Sequence, residues 1–404
     1  MEKRISRLVG GVGLLAAWTL GGPLAAQNPR PERARVVEPE SRTSGEKRSG
    51  TDVDALQKAP IPTQEPPVFQ EVIQVAEVLL DVLVTDREGR VVTGLGPDDF
   101  VVYEEGRMVR PESVTFYGDP ASLQASGSGR SDRFFVFFFH HEKDQSTFQR
   151  SAQNRMARDA QKWLERELRP NDQVAVLSFD FDLWLHQDFT RDRSRISEAV
   201  DNAARGKPTR DSRGDPAPRR VPSTARSLDD SPSLFANLPR AGEFRRQTRT
   251  FQEALEMVAK GSRDVIGRKN MLLFSSGFGQ VAGIGELHAD SQIYKRLERT
   301  LNTSNVAVYG FDVLGIKSGD PQLASYGSLA KLSYETGGRY FERDTDFLEP
   351  LRRVAAESTG YYLISYRSTY QRGDSGYREV EVGTPRGAYF VRGRKGYLYG
   401  RSTF

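Results

Sequence analysis

The residues with the most chemical reach sit together at His140-His-Glu-Lys-Asp144, with Ser146 just beyond. Two imidazoles and two carboxylates this close suit a transition metal, or acid–base work in a hydrolase. Such a hydrolase would use Glu142 and Asp144 as acid and base and His140 as ligand. A zinc protease of the H-E-x-x-H type needs a second histidine where Gln145 stands. The chain has 4 histidines, His140, His141, His186 and His288, which is a thin supply for a zinc hydrolase. A serine esterase needs G-x-S-x-G, and around Ser276 the position of the first glycine is held by Phe274. Neither a phosphate loop nor a dinucleotide fingerprint is present. With 0 cysteines, disulfides, thiolate metal sites and thiol catalysis are excluded.

The elements that must position these residues begin with Phe134-Phe-Val-Phe-Phe-Phe139. Six large apolar residues without alternation read as a strand buried on both faces, central in a parallel sheet. Polar residues follow at His140, then a helical pattern through Phe148, Ala152, Met156, Ala160, Trp163 and Leu168. Gln173–Phe179 and Leu183–Phe189 read as neighbouring strands, and Arg193–Ala204 as a helix. Met271–Phe274 and Val306–Phe311 are further strands, separated by helical patterns that recur to Ala355. Strands alternating with helices give a doubly wound, mostly parallel α/β sheet. Ligands of such sheets sit at the carboxyl ends of the strands, which places His140, Glu142 and Asp144 on the functional rim.

Around this segment the patterning is β. Val75 to Val84, Val91-Val92, Val101 to Tyr103 and Val114 to Tyr117 precede it; Tyr361 to Tyr366, Arg378 to Val382, Ala388 to Val391 and Tyr397 to Tyr399 follow it. Each group alone leaves an open edge and half a core. The two are expected to pair, so that the α/β segment is inserted into a small antiparallel β-sandwich. The expected divisions are a signal peptide at 1–26, a disordered tether at 27–68, sandwich strands at 69–118, the α/β domain at 132–357, and closing sandwich strands at 358–404. Lys3, Arg4 and Arg7 before the apolar Leu8–Leu20 stretch, with Pro23-Leu-Ala-Ala26 behind it, imply export, periplasmic or secreted, with no spanning segment once the signal is removed. A net charge of +4 without a concentrated basic face argues against nucleic acid. Residues 205–242 form a Pro- and Arg-rich surface insertion that includes Arg213-Gly-Asp215, a tripeptide best explained by composition. The tyrosines of the closing strands read as core and cross-strand packing.

Several motifs in order resemble one family. They are Asp81-Val-Leu-Val-Thr-Asp-Arg-Glu-Gly89, Leu95-Gly-Pro-Asp-Asp-Phe100, Arg268-Lys-Asn-Met-Leu-Leu-Phe-Ser-Ser-Gly-Phe278, Asn305-Val-Ala-Val-Tyr-Gly-Phe-Asp312, Glu335-Thr-Gly-Gly-Arg339, Tyr361-Tyr-Leu-Ile-Ser-Tyr366 and Arg394-Lys-Gly-Tyr397. From about residue 72 to 398 the chain is similar to the von Willebrand factor A-related proteins of Acidobacteria. The resemblance implies an exported protein whose α/β domain binds other proteins, often through a metal at the top of the sheet. The family's site uses Asp-x-Ser-x-Ser, a loop Thr and a later Asp. Here those positions fall on His140, Glu142 and Asp144, on Thr248 or Thr250, and on Ser276. Neither the nitrogen of His140 nor the neutral hydroxyl of Ser276 suits Mg²⁺, which wants oxygens and carboxylate charge. No metal and no cofactor are expected. The reading is a non-enzymatic binding module with a protein partner in the envelope or outside the cell. Its rim candidates are His140, His141, Glu142, Asp144, Ser146, Thr248, Thr250, Ser275 and Ser276. The alternative is the metal-dependent hydrolase using His140, Glu142 and Asp144.

Overall fold

Strand β5 (Phe134–His140) is buried from Phe134 to Phe139 and shows why the sequence there does not alternate. Phe135, Phe137 and Phe139 pack with Met156 and Trp163 of helix α1 (Thr147–Arg166), Ile196 and Val200 of α2 (Arg193–Ala204), and Leu351 and Val354 of α6 (Leu348–Glu357). Phe134, Val136 and Phe138 face the other way. They meet Leu255 and Val258 of α3 (Phe251–Gly261), with Leu297 of α4 (Gln292–Thr303) and Leu329 of α5 (Ala324–Glu335) in the same cluster. A strand covered by helices on both faces has no solvent side, so every position is apolar.

The computed structural model describes residues 73–118, 132–141, 147–206, 231–234, 236, 247–277, 292–313, 324–342, 346–371, 374–385 and 389–400. Its central sheet has six strands in the order β10-β9-β8-β5-β6-β7. These are β6 (Gln173–Phe179), β7 (Leu183–Thr190), β8 (Lys269–Ser275), β9 (Val306–Asp312) and β10 (Arg339–Phe341) beside β5. The pairings are parallel except for β7. Only Asp180–Asp182 separate β6 from β7, too few for the crossover that a parallel partner needs. After β5 the chain winds to one side through β6 and β7, then crosses to build β8, β9 and β10 on the other. The switch point lies between the carboxyl ends of β5 and β8, where this architecture places ligands.

The flanking strands form two antiparallel sheets of four, ordered β13-β1-β11-β4 and β14-β12-β2-β3, where β13 is Phe390–Gly393 and β14 is Gly396–Tyr399. Strand β1 (Ile73–Thr85) pairs with β11 (Gly360–Gln371) from Ile73 with Gln371 to Val82 with Tyr362. Strand β12 (Gly376–Gly383) pairs with β2 (Val101–Glu104), which in turn pairs with β3 (Arg107–Val109). The segments before and after the α/β part therefore share both sheets. Strand β4 (Ser113–Gly118) pairs with β11, and the chain leaves at Gly118 and returns at Gly360, which face each other. A Cβ on either glycine would run into the Phe116 ring, at 2.6 Å and 2.4 Å respectively. Val78, Leu80, Val82, Val102, Ile364 and Val380 lie in one apolar cluster drawn from the two sheets. Within it Glu104 accepts hydrogen bonds from Tyr366 (3.0 Å), Ser368 (2.9 Å), Arg378 (2.8 Å) and Tyr397, so the buried carboxylate is satisfied. Tyr362, Tyr366 and Tyr397 are core residues, whereas Phe390 is exposed.

Two sequence expectations change. Val91-Val92 does not resume as a strand: Val91 makes one isolated bridge to Thr85 and stops there. The 205–242 insertion is not wholly peripheral. Leu234 is fully buried in the core beside α3, and its backbone N–H donates to Asp188 Oδ1 at 2.9 Å.

Candidate functional site

His140 ends β5, the apolar run having fixed the strand and the first polar residue having ended it. Its Nδ1 lies 2.8 Å from the hydroxyl of Ser275, the last residue of β8, directly across the switch point. Its ring lies flat on Phe251, with centroids 3.9 Å apart and planes at 11°. Phe251 is the first residue of α3, and Thr250 caps that helix in a capping box with Glu253. Thr250 Oγ1 is thereby engaged with the Glu253 N–H. Thr248 is buried two residues earlier.

The electrostatics follow from this enclosure. Burial first, and then the neighbouring His141, pull the His140 imidazole down to about 3, so it is neutral at physiological pH. Ser275 is fully buried, and its hydroxyl also lies 3.1 Å from Gly277 O. The Ser275–His140 pair resembles a nucleophile beside its base. A serine without solvent contact, beside an imidazole of such low basicity, is poorly placed to attack a substrate. The pairing reads better as the latch that closes the β5–β8 crevice.

His141 is turned to a different task. Its Nδ1 accepts from Gln153 Nε2 of α1 at 2.7 Å, and its Nε2 donates to Ala203 O of α2 at the same distance. It ties both helices to the end of β5. Burial holds its proton affinity below the ordinary value, opposed by the Ala203 carbonyl. Glu142, Asp144 and Ser146 lie outside the described residues. Ser276 follows β8 and is buried, close to the rim but without a carboxylate to offer.

Of the positions where the resemblance implies a metal, those among the described residues, His140 and Ser276, bring no carboxylate for Mg²⁺. Among the described residues the positions matched to the family's site supply an imidazole already engaged with Ser275 and the neutral hydroxyls of Ser276, Thr248 and Thr250, while the carboxylate of Asp312, paired with Ser275 at the end of β9, lies on the same rim outside those positions. A hard divalent ion needs several oxygens with carboxylate charge among them. Among the described residues no cluster of three or more His, Asp or Glu is gathered to hold a metal.

The rim carries another residue that the sequence reading passed over. The β6–β7 turn is built on Phe181, whose φ is +91°, and the residue is 58% exposed. The turn is pinned by the Asp180 N–H donating to Asp182 O at 3.2 Å and by Trp184 Nε1 donating to Asp180 Oδ1 at 2.7 Å. It lies on the His140 side of the sheet, since Phe179 pairs with His140. The sequence signal was a large apolar residue alone between two aspartates at a two-strand turn, where glycine is the ordinary choice.

No protein-family model matches the sequence, and no curated protein matches it. Solved structures do. Proximal thread matrix protein 1 from the mussel byssus matches at 11% identity and a TM-score of 0.33, over 56% of this chain and 48% of that one. The chain thus spans about half the length of the mussel protein. BatB from Bacteroides thetaiotaomicron matches at 10% identity and 0.32, over 55% and 96%. A von Willebrand factor type A protein from Catenulispora acidiphila matches at 10% identity and 0.33, over 80% and 73%. Likeness this distant adds nothing to the strand order, which defines the α/β architecture by itself.

Proposed function

We propose that the chain is an exported, non-enzymatic protein-binding module of the von Willebrand A type, which meets its partner through the carboxyl rim of the central sheet. The observation that carries this is Phe181. A bulky residue at positive φ costs about 1–3 kcal/mol, and such strain collects at functional sites. The strain is not offset by full burial, since Phe181 stays 58% exposed. Exposed aromatics on rigid supports are the usual anchors of protein interfaces. The polar groups behind it, His140 and Ser275, are spent on each other rather than on a substrate. On this reading the rim binds without metal or cofactor.

A photo-crosslinking residue in place of Phe181, and separately in place of the exposed Met108 on edge strand β3, tests the rim. In envelope extract, the Phe181 position should yield a discrete adduct that excess unlabelled wild-type chain competes away and Phe181→Gly does not. Equal adducts from both positions, or no competition, would sink the proposal. Phe181→Gly should itself melt no lower than wild type, because glycine removes the strain.

A further inference from the structure

A cavity of about 210 Å³ opens at the other end of the central sheet, where β5 and β8 begin and the β13-β1-β11-β4 sheet approaches. It lies roughly 20 Å from the rim, a strand's length at about 3.3 Å per residue. Its walls carry paired charges and one that is not paired. Arg133 is matched by Asp172, through contacts of 2.7 and 2.5 Å. Glu357 is fully buried and already shared by Arg339 and Arg392, each at 2.8 Å. Arg268 is 8% exposed and donates to Gly337 O at 2.6 Å, and no carboxylate among the described residues lies within 4 Å of it. The lining carries three arginines, Arg133, Arg169 and Arg268, and three carboxylates, Asp132, Asp172 and Glu357, but none of these carboxylates lies within ion-pair distance of Arg268. A buried charge without a counter-charge costs several kcal/mol, a deficit that a bound anion removes.

A second group faces the same space. Asn270 is 4% exposed, and its Nδ2 makes a long 3.4 Å bond to Phe134 O. Its Oδ1 has no donor. Flipping the amide would set two acceptors against each other at Phe134, so the free oxygen is held by the fold. A buried acceptor left empty is costly and selects a ligand that brings an N–H or O–H.

We propose that this cavity binds a small carboxylic acid that also carries a hydrogen-bond donor, a hydroxy acid or an amino acid. Its carboxylate lies against the planar fork of Arg268, whose geometry matches two carboxylate oxygens. Its hydroxyl or amine donates to Asn270 Oδ1. The space, at roughly 30 Å³ per water, holds several waters or one molecule of this size.

Calorimetry on the full chain with L-malate, L-glutamate, succinate and sulfate tests the site. L-malate or L-glutamate should bind one to one with a Kd below about 1 mM. Succinate, which lacks the donor, should bind about tenfold more weakly than malate. Arg268→Gln should weaken malate by at least about tenfold, and Arg268→Lys, which keeps the charge but loses the fork, should fall between. Asn270→Ala should erase the difference between malate and succinate. Should Arg268→Gln not fold, the Lys variant and the malate–succinate comparison still decide. The proposal is overturned if no saturable heat is seen, if malate and succinate bind alike in wild type, or if sulfate competes equally, which would mean an adventitious ion only.

Discussion

At the scale of single residues, buried histidines make the fold sensitive to acid. His140 lies flat on Phe251, and His186 is buried with Nε2 2.8 Å from the Ser178 hydroxyl. Burial, reinforced by the charge of His141, pulls both imidazoles from 6.5 to about 3. Above 6.5 neither the folded nor the unfolded chain is protonated there, and the native state keeps its full stability. As pH falls below 6.5, the unfolded chain takes up protons that the folded chain refuses. Stability then drops, by at most about 1.4 kcal/mol per pH unit for each site, until pH reaches the folded value near 3. Urea midpoints at pH 7.5 and 5 should therefore fall with acid. His186→Gln, which can keep the bond to Ser178, should show a shallower fall; an unchanged slope would contradict the account. The sequence revealed that His140 ends the central strand, because an apolar run stopping at a polar residue marks that boundary. It did not reveal the partners. Ser275 lies 135 residues away and Phe251 follows a Pro- and Arg-rich stretch without helical periodicity, so only folding brings them together. The motif comparison pointed to Ser276, one residue beyond the serine that makes the contact.

At the scale of elements, periodicity was legible wherever a whole face is buried, and failed where one side chain carries the packing. The doubly wound order could be read because β5 is apolar throughout and the helices repeat at 3.6 residues. Leu234 has no such repeat around it. It sits in a Pro- and Arg-rich stretch and is held by Asp188 of β7, whose Oδ1 accepts from the Leu234 N–H and whose Oδ2 accepts from Ser233 Oγ at 2.6 Å. Asp188 is 1% exposed, so this clamp is itself shielded from water. Leu234→Ala should cost about 2–5 kcal/mol, the range for truncating a buried leucine. Replacing residues 207–230 by a short flexible linker should cost less than about 1 kcal/mol, because loop-closure entropy changes slowly with length. Chemical denaturation of both variants separates the cases. Equal losses would mean that the insertion is structural along its length, and no loss from Leu234→Ala would mean that the clamp does not bear on the core.

At the scale of the whole molecule, the α/β part and the flanking sheets share partly buried polar contacts that cross between them. Asn305, at the start of β9, donates to Asp81 of β1, and Asn302 of α4 donates to Tyr377 of β12 at 3.2 Å. Arg394, in the turn between β13 (Phe390–Gly393) and β14 (Gly396–Tyr399), donates to Asn302 O of α4 at 3.5 Å, and Arg392 reaches Glu357 of α6. The end of α5 comes so close that a Cβ on Gly337 would lie 2.7 Å from the Gly393 backbone, and Gly337 has φ +76°. Lys269 is buried beside this junction, where burial lowers its amine to about 7 against the pull of Asp81. Cutting out residues 132–357 would strip Asp81, Tyr377, Arg392 and Arg394 from their partners. Glu357 would keep Arg339 but lose its second cation, and Asn302 and Asn305 would lose their bonds. Each broken buried polar contact costs about 1–3 kcal/mol. A segment of this size loses about 2–4 °C in Tm per kcal/mol, so its Tm should fall by at least about 8 °C relative to the full chain. The full chain should unfold in one transition, with fluorescence and circular dichroism coinciding. Two resolved transitions, with the excised segment melting at the temperature of one of them, would show instead that the junction is a contact between independent domains.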